Sequence, residues 1–321
     1  MIINRMKKNK VYILLTVYNC EHVVKKQIDS IINQTYQNWE MLVRDDGSTD
    51  STIEIVNGYI AKDSRIKMIN NNNEHLYSAQ NFSKLMEALP FDSSYIMFSD
   101  HDDIWLPQKI EKSLLAMKEL EDKHGEDKHL VVYGTYKMID IHDNPLKLEV
   151  PDYSTYPTLN LILSQNYIYG CTMMINHKTL LSSTPVALTA WDHDYWIVLS
   201  TLVNGGYFAY LNEPALLYRQ HSGNNSGNYT NAFLINRLKR VFNNSEIKTI
   251  QKSLRMFTSL FERNKDKMTK ESFILLKGYL DNVKHGGFKA FYFCLKNKIR
   301  RKGMIQTVLF YYNLLRTPKL Q

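Results

Sequence analysis

Short apolar runs alternate with amphipathic segments through the first hundred residues, and this alternation constrains the fold more than any other feature. Val11 to Val17 is an apolar run of strand length, ended by Tyr18-Asn19. His22 to Gln34 places Val23, Ile28, Ile31 and Ile32 at helical spacing, which predicts a helix with one apolar side. Glu40 to Arg44 predicts a second strand, stopped by Asp45-Asp46-Gly47-Ser48-Thr49-Asp50. Ser51 to Ala61 predicts a helix carrying Ile53, Val56 and Ile60, and Arg65 to Asn70 a third strand. Ser78 to Leu89 predicts a helix with Phe82, Leu85, Met86 and Leu89 on one side, and Tyr95 to Phe98 a buried fourth strand. Such alternation means parallel strands joined by helical crossovers.

The fourth strand runs into Ser99-Asp100-His101-Asp102-Asp103-Ile104-Trp105-Leu106-Pro107. Pro107 is placed to open a helix through Lys109, Ile110 and Leu114. Three carboxylates therefore sit where a strand ends, the crevice in which open α/β sheets bind ligands. Like charges packed together are costly unless a cation or hydrogen-bond donors offset them. Hard oxygen donors in this setting suit Mg²⁺ or Mn²⁺ shared with a phosphate. The chain has neither G-x-G-x-x-G nor G-x-x-x-x-G-K-[ST], so the dinucleotide-fold and P-loop readings lack their fingerprints.

Beyond a helix reaching about Asp122 the pattern loosens. Leu130 to Met138 and Ile168 to Ile175 predict strands, Trp191 to Val203 a helix, and Tyr207 to Tyr218 a strand broken by Pro214. Gly223-Asn224-Asn225-Ser226-Gly227 is a loop, and the chain beyond it reads as helix. We place a boundary near residue 230, giving a catalytic domain over 1–230 and a basic helical region over 231–321. Charge divides at the same point. Residues 231–321 hold 20 Lys and Arg against 5 Asp and Glu, whereas residues 1–230 hold 20 against 27. The three cysteines, Cys20, Cys171 and Cys294, have no metal-site spacing and predict reduced thiols in a cytoplasmic setting. Met1 to Lys10 is basic and has no apolar signal-peptide segment, and the uncharged run Gly303 to Leu315 falls short of the about 20 residues that cross a bilayer.

Leu15-Thr16-Val17-Tyr18-Asn19, Gln34-Thr35, Trp39-Glu40, Arg44-Asp45-Asp46-Gly47-Ser48-Thr49-Asp50 and Ser99-Asp100-His101-Asp102-Asp103 occur in an order that resembles the family 2 glycosyltransferases. The resemblance covers about residues 8–225. With His193-Asp194-Tyr195-Trp196 and Tyr218-Arg219-Gln220-His221, it is nearest the bacterial branch that contains rhamnosyltransferases and other surface-polysaccharide enzymes. It implies a GT-A fold, the α/β architecture of nucleotide-diphospho-sugar transferases, with a mainly parallel mixed sheet followed here by the helical C-terminal region. It implies a UDP- or dTDP-sugar donor, a saccharide acceptor that is often lipid-linked, and Mn²⁺ or Mg²⁺ as cofactor. Thr16, Tyr18 and Asn19 match positions lining the nucleoside site, and Asp46 matches the aspartate that accepts the imide N–H of a pyrimidine. Asn81 matches an asparagine that holds the donor loop. Asp100 matches the residue reaching the ribose or a water on the metal, Asp102 the principal metal ligand, and His221 a late histidine that completes the metal site in some relatives. Arg219 is placed to meet the diphosphate. Asp194 matches the base of an inverting transfer, with Asp192 and His193 as its neighbours and competitors. Many relatives carry a glycine near Asn73-Glu74-His75-Leu76, whereas this chain has none between Gly58 and Gly125.

Gly287 to Lys302 and Met304 to Leu315 set aromatic and aliphatic residues beside Lys and Arg, the pattern of helices that lie on anionic membranes. The expectation is a peripheral enzyme on the inner face of a bacterial membrane, with no nucleic-acid partner. Two other classes share part of this pattern. A nucleotidyltransferase acting on sugar phosphates would carry an early Gly-rich loop, and Leu15 to His22 has no glycine. A non-catalytic basic protein on a lapsed fold would explain the tail and would not need Asp46, Asp102 and Asp194 together.

Overall fold

The computed structural model describes residues 9–71, 74–147, 150, 152–220 and 245–319. Its eight strands form one mixed sheet. They are β1 (Val11–Val17), β2 (Trp39–Asp45), β3 (Ile66–Met68), β4 (Tyr95–Ser99), β5 (Ile104–Trp105), β6 (Leu130–Ile139), β7 (Met174–Asn176) and β8 (Tyr207–Arg219). The order across the sheet is β3-β2-β1-β4-β7-β6-β8-β5. β1, β2, β3 and β4 pair in parallel, as do β6 and β8, whereas β7 is antiparallel to both its neighbours and β5 to β8.

The crossovers expected from the sequence are α1 (Val24–Ile32), α2 (Thr52–Ile60), α3 (Tyr77–Glu87) and α4 (Lys109–His124). All seven residues of β1 are buried, because helices cover the sheet on both faces. Later come α5 (Leu159–Ile162), α6 (His177–Ser183) and α7 (His193–Val203). α8 (Ser245–Asn264), α9 (Lys270–Val283), α10 (Gly287–Lys296) and α11 (Met304–Arg316) make up the C-terminal region.

The segment Ile168 to Ile175 departs from the expected strand. Gly170–Thr172 is a 3₁₀ turn, and only Met174–Asn176 pairs. The Gly170 N–H is directed to a side chain of α7 and the Thr172 N–H to the Tyr169 carbonyl, so neither joins a ladder. Pro214 does not interrupt β8. It lies opposite Thr135, where the β6–β8 register shifts, so the N–H it lacks falls at a bulge.

The C-terminal helices share the core of the sheet domain. Phe257 of α8 meets Tyr195 of α7 and Tyr279 of α9 at ring distances of 6.0 and 5.6 Å. The Thr269 N–H donates to the Val203 carbonyl at 2.9 Å. Fully burying such side chains contributes about 1.5–3 kcal/mol each, so this packing holds the basic region on the catalytic one. The boundary placed near residue 230 and the loop Gly223 to Gly227 lie outside the described residues.

Candidate active site

Because β1, β2 and β4 are parallel, their carboxyl ends meet at one edge. Thr16 and Val17 lie opposite Arg44 and Asp45, and Leu15 lies opposite Ser99. The loops that leave these strands carry most of the residues singled out in the sequence.

At the β1–β2 end, Asp45 closes a turn: its carboxylate accepts the N–H groups of Gly47 and Ser48 at 2.8 and 3.0 Å. Asn19, with φ +43°, ties this turn to β1; its N–H donates to the Ser48 hydroxyl and its side chain accepts the Thr49 N–H. Thr16 is buried against the strands. Asp46 faces the other way. One oxygen accepts the Leu76 N–H at 2.7 Å and the other the Tyr77 N–H at 3.0 Å. Arg44, itself buried, bridges Asp46, Asn81 and the Asn71 carbonyl. Asn81 thus reaches the site through Arg44, a residue sequence reasoning left without a role.

This network holds a strained position. Tyr77 has φ +59°, in the left-handed region that glycine favours, yet its ring is 74% exposed. The position is held by an aromatic residue whose backbone N–H is fixed on the carboxylate of Asp46. His75 lies between Tyr18 and Tyr77, at ring distances of 4.9 and 4.5 Å. Three rings thus line the loop. Only Tyr18 was legible from the sequence, since backbone sign and ring exposure leave no local signature.

The acidic residues occupy the connection between β4 and β5. Burial raises the Asp100 carboxyl to about 7, reinforced by the charge of Asp102 and opposed by Lys109. Burial raises Asp103 well above the usual carboxylate range, again with Asp102 adding. Buried Lys109 is lowered to about 8 by desolvation. Its ammonium donates to the Cys171 carbonyl and lies 3.8 Å from the centre of the Trp105 ring. Carboxylate oxygens of Asp100 and Asp103 and the Cys171 sulfur come within 4.8 Å of one another. Asp102 is not one of these three, although it is buried beside them. Burial pushes the Cys171 thiol well up, so it is a neutral thiol next to the carboxylates. Crowded buried carboxylates of raised pKa fit a divalent cation, which relieves their repulsion. A protonated thiol adds nothing to a hard cation's donor set.

Arg219 ends β8 behind this loop and is buried. Its Nε donates to the Asp102 carbonyl at 2.8 Å, and its Nη1 to the Asp140 carbonyl at 3.1 Å, beside an ion pair with Asp143. It therefore fixes the backbone of the acidic loop. His221 lies outside the described residues.

α7 brings in the last group. Asp192 is its N-cap, with extended backbone, and Asp194 lies in its first turn. The two oxygens of Asp194 accept separate bonds, from the Asn166 side chain at 3.1 Å and the Gly170 N–H at 2.9 Å. Burial raises its carboxyl well above the usual range, with the charge of Asp192 next and Asp100 contributing. Asp192 is half-buried and raised by desolvation, against the nearby Lys252. Burial lowers His193 to about 3. Its ring packs 3.9 Å from Phe82 and 5.0 Å from Phe98. A Cβ on Gly170 would lie 2.3 Å from the His193 Nε2, so only glycine permits this approach. Trp196 belongs to the core, its indole N–H donating to the Ser183 carbonyl at 2.9 Å. Trp191 is half-buried, with Lys252 4.7 Å from its ring centre. Asn166 and Gly170 come from an irregular segment and carried no motif in the sequence.

Residues 12–180, more than half of the chain, match the family described as glycosyl transferase family 2. Over 193 residues the chain is 33% identical to WfgD of Escherichia coli, described as a UDP-Glc:alpha-D-GlcNAc-diphosphoundecaprenol beta-1,3-glucosyltransferase; the match covers 60% of this chain and 69% of WfgD. It is 35% identical over 131 residues to EpsE of Bacillus subtilis, described as a putative glycosyltransferase, covering 40% of this chain and 44% of EpsE. The fold is similar to that of S. aureus TarS residues 1–349, solved with UDP-GlcNAc. The TM-score there is 0.55 at 16% identity, over 96% of this chain and 90% of that one.

Proposed function

Since the chain belongs to glycosyl transferase family 2, we propose that it moves a sugar, with inversion, from a UDP- or dTDP-sugar to a hydroxyl of a lipid-linked saccharide in bacterial surface-polysaccharide assembly. The observation that supports this reading is that an aromatic loop and an acidic loop leave adjacent strand ends of one sheet, with the carboxylate of Asp194 near enough to Asp100 for their charges to interact. The description of WfgD, which names a UDP-sugar and a diphosphoundecaprenol acceptor, supports the donor and acceptor classes.

In this mechanism the nucleoside lies at the ends of β1 and β2, against Thr16, Tyr18 and Asn19. Asp46, with Arg44 and Asn81 behind it, shapes the loop that meets the base. Asp100 and Asp102 would hold Mn²⁺ or Mg²⁺, with His221 as a further ligand. The metal would neutralise charge on the diphosphate leaving group. Arg219 adds positive charge on the diphosphate side. The acceptor oxygen forms a bond to the anomeric carbon as the bond to the diphosphate oxygen breaks, and Asp194 takes the hydroxyl proton. No covalent intermediate on the protein is needed. The acceptor places the enzyme at the inner face of the membrane, as a peripheral protein; no helix among the described residues is long and apolar enough to cross one.

The direct test is calorimetric titration with UDP, dTDP and GDP, with and without Mn²⁺. Binding of a pyrimidine diphosphate, strengthened by the metal, is the expected result; no binding in any condition defeats the proposal. Tyr77→Gly refines it. A left-handed non-glycine residue costs about 1–2 kcal/mol, against roughly 0.5–1 kcal/mol for the extra freedom of an unfolded glycine. The variant is therefore expected to melt no lower than wild type. Its UDP affinity should fall about fivefold or more, since stacking of a base on an aromatic ring is worth about 1–3 kcal/mol. Unchanged affinity would take Tyr77 out of the nucleoside site.

A further inference from the structure

The last acidic residue of the chain is Asp281; nine Lys and Arg and no Asp or Glu come after it. This stretch forms the α10–α11 hairpin, and each helix has two distinct faces. On α10, Ala290 and Cys294 are buried while Phe288, Tyr292 and Leu295 are exposed. On α11, Phe310 and Leu314 are buried while Met304, Ile305, Val308, Tyr312 and Leu315 are exposed. The exposed residues recur at three- and four-residue intervals, so each set forms one stripe. The helices meet through Phe291 and Tyr311, whose rings stand 5.6 Å apart edge to face. Half of the sixteen large apolar side chains exposed among the described residues lie on this hairpin. Soluble surfaces seldom gather so many in one place.

The surrounding charge selects what covers them. Lys289, Lys296, Lys298, Arg300 and Arg316 are exposed on the same two helices and their connection. A second copy of this hairpin would bring like charges together, whereas an anionic bilayer answers both the apolar stripes and the cations. The connection between the helices also binds the 152–164 segment of the sheet domain. The Asn160 amide donates to the Asn297 carbonyl at 2.6 Å, the Ser164 hydroxyl to the Arg300 carbonyl at 2.8 Å, and Lys302 to the Asp152 carbonyl. Two residues past Ser164, Asn166 holds Asp194.

We propose that the α10–α11 hairpin docks on an anionic membrane surface, its apolar stripes entering the headgroup–acyl boundary, and that it presents the 152–170 segment to acceptors carried in the same bilayer. The second half of this inference rests on the reading of a lipid-linked acceptor; the docking surface does not.

Co-sedimentation of the full chain with vesicles tests it. Binding is expected to vesicles of equal phosphatidylglycerol and phosphatidylcholine, and weaker binding to phosphatidylcholine alone. The double variants Phe288→Ser with Tyr292→Ser, and Ile305→Ser with Val308→Ser, should each lose about tenfold or more in partition, because the buried apolar area goes. Lys289→Gln and Lys296→Gln should each lose about fivefold, the contribution of one cation near an anionic surface. Far-UV circular dichroism and UDP titration of the same variants should match wild type. Vesicle partition that the apolar variants leave unchanged, or no preference for phosphatidylglycerol, overturns the proposal. So does a dimer that Phe288→Ser with Tyr292→Ser dissociates in the absence of vesicle binding. A wild-type chain that binds UDP and not vesicles removes this inference alone; one that binds vesicles and no nucleotide removes the catalytic reading and leaves the docking surface.

Discussion

Asp194→Asn is expected to retain donor binding and to lose about 10²–10⁴-fold in transfer, the usual contribution of a general base. The side chain keeps its size, and the acidic loop is contributed by a different segment. Both Asp194 oxygens accept hydrogen bonds from donors, Asn166 and the Gly170 N–H. An amide satisfies only one of them, so the variant should also lose about 1–3 kcal/mol of stability for the donor left unpaired. The pH dependence is a second signature. A base acts in its deprotonated form, and burial holds the Asp194 carboxyl well above the usual range. Transfer should therefore rise with pH along a limb displaced upward from that of an ordinary carboxylate. Asp192→Asn removes the next largest cause of the shift, so it should move the limb toward acid while changing the rate near neutrality much less. His193→Ala separates the third candidate. Burial lowers that imidazole to about 3, and its ring fills space beside Phe82 and Phe98. Its loss should lower the melting temperature through a cavity and leave Asp194's pH limb in place. Transfer rates at saturating donor for the three variants decide the matter. If Asp192→Asn is the most damaged and Asp194→Asn stays near wild type, the assignment along α7 is wrong.

Asp102→Ala is the second large effect. Asp102 raises both Asp100 and Asp103 by its charge, so the three act as one electrostatic unit. Removing one carboxylate weakens the hold on a divalent cation and leaves the diphosphate charge unanswered. Several kcal/mol of charge stabilisation are at stake, which is about 10²-fold or more in rate. Stimulation by Mn²⁺ should vanish with it. Cys171→Ser is the contrasting variant: the thiol is held protonated by burial, so metal stimulation should survive. Wild-type-like Mn²⁺ stimulation of Asp102→Ala would refute the assignment of Asp102 as a ligand.

The parallel half of the sheet was legible in the chain, because β1, β2 and β4 are apolar runs separated by helices whose apolar residues recur at 3.6-residue spacing. The antiparallel half was less so. β7 is three residues long and β5 two, and each is held by its neighbours in the sheet, not by its own composition. Periodicity over Ile168 to Ile175 suggests a strand, but Gly170–Thr172 forms a 3₁₀ turn whose first N–H goes to Asp194, a partner distant in the chain.

The family and the acidic loop were determined by the sequence alone, since both rest on residue types in a fixed order where strands end. The tertiary structure decided how those residues are used. It turned Asp45 back to close its own turn and Asp46, equally buried, across to the 76–77 backbone, a difference two adjacent aspartates do not display in sequence. It placed an aromatic side chain at a left-handed position and buried Arg44, Lys109 and Arg219 behind loops far from them along the chain. Sequence order records which groups are available; hydrogen-bond direction, burial and charge proximity arise only when segments distant in the chain meet.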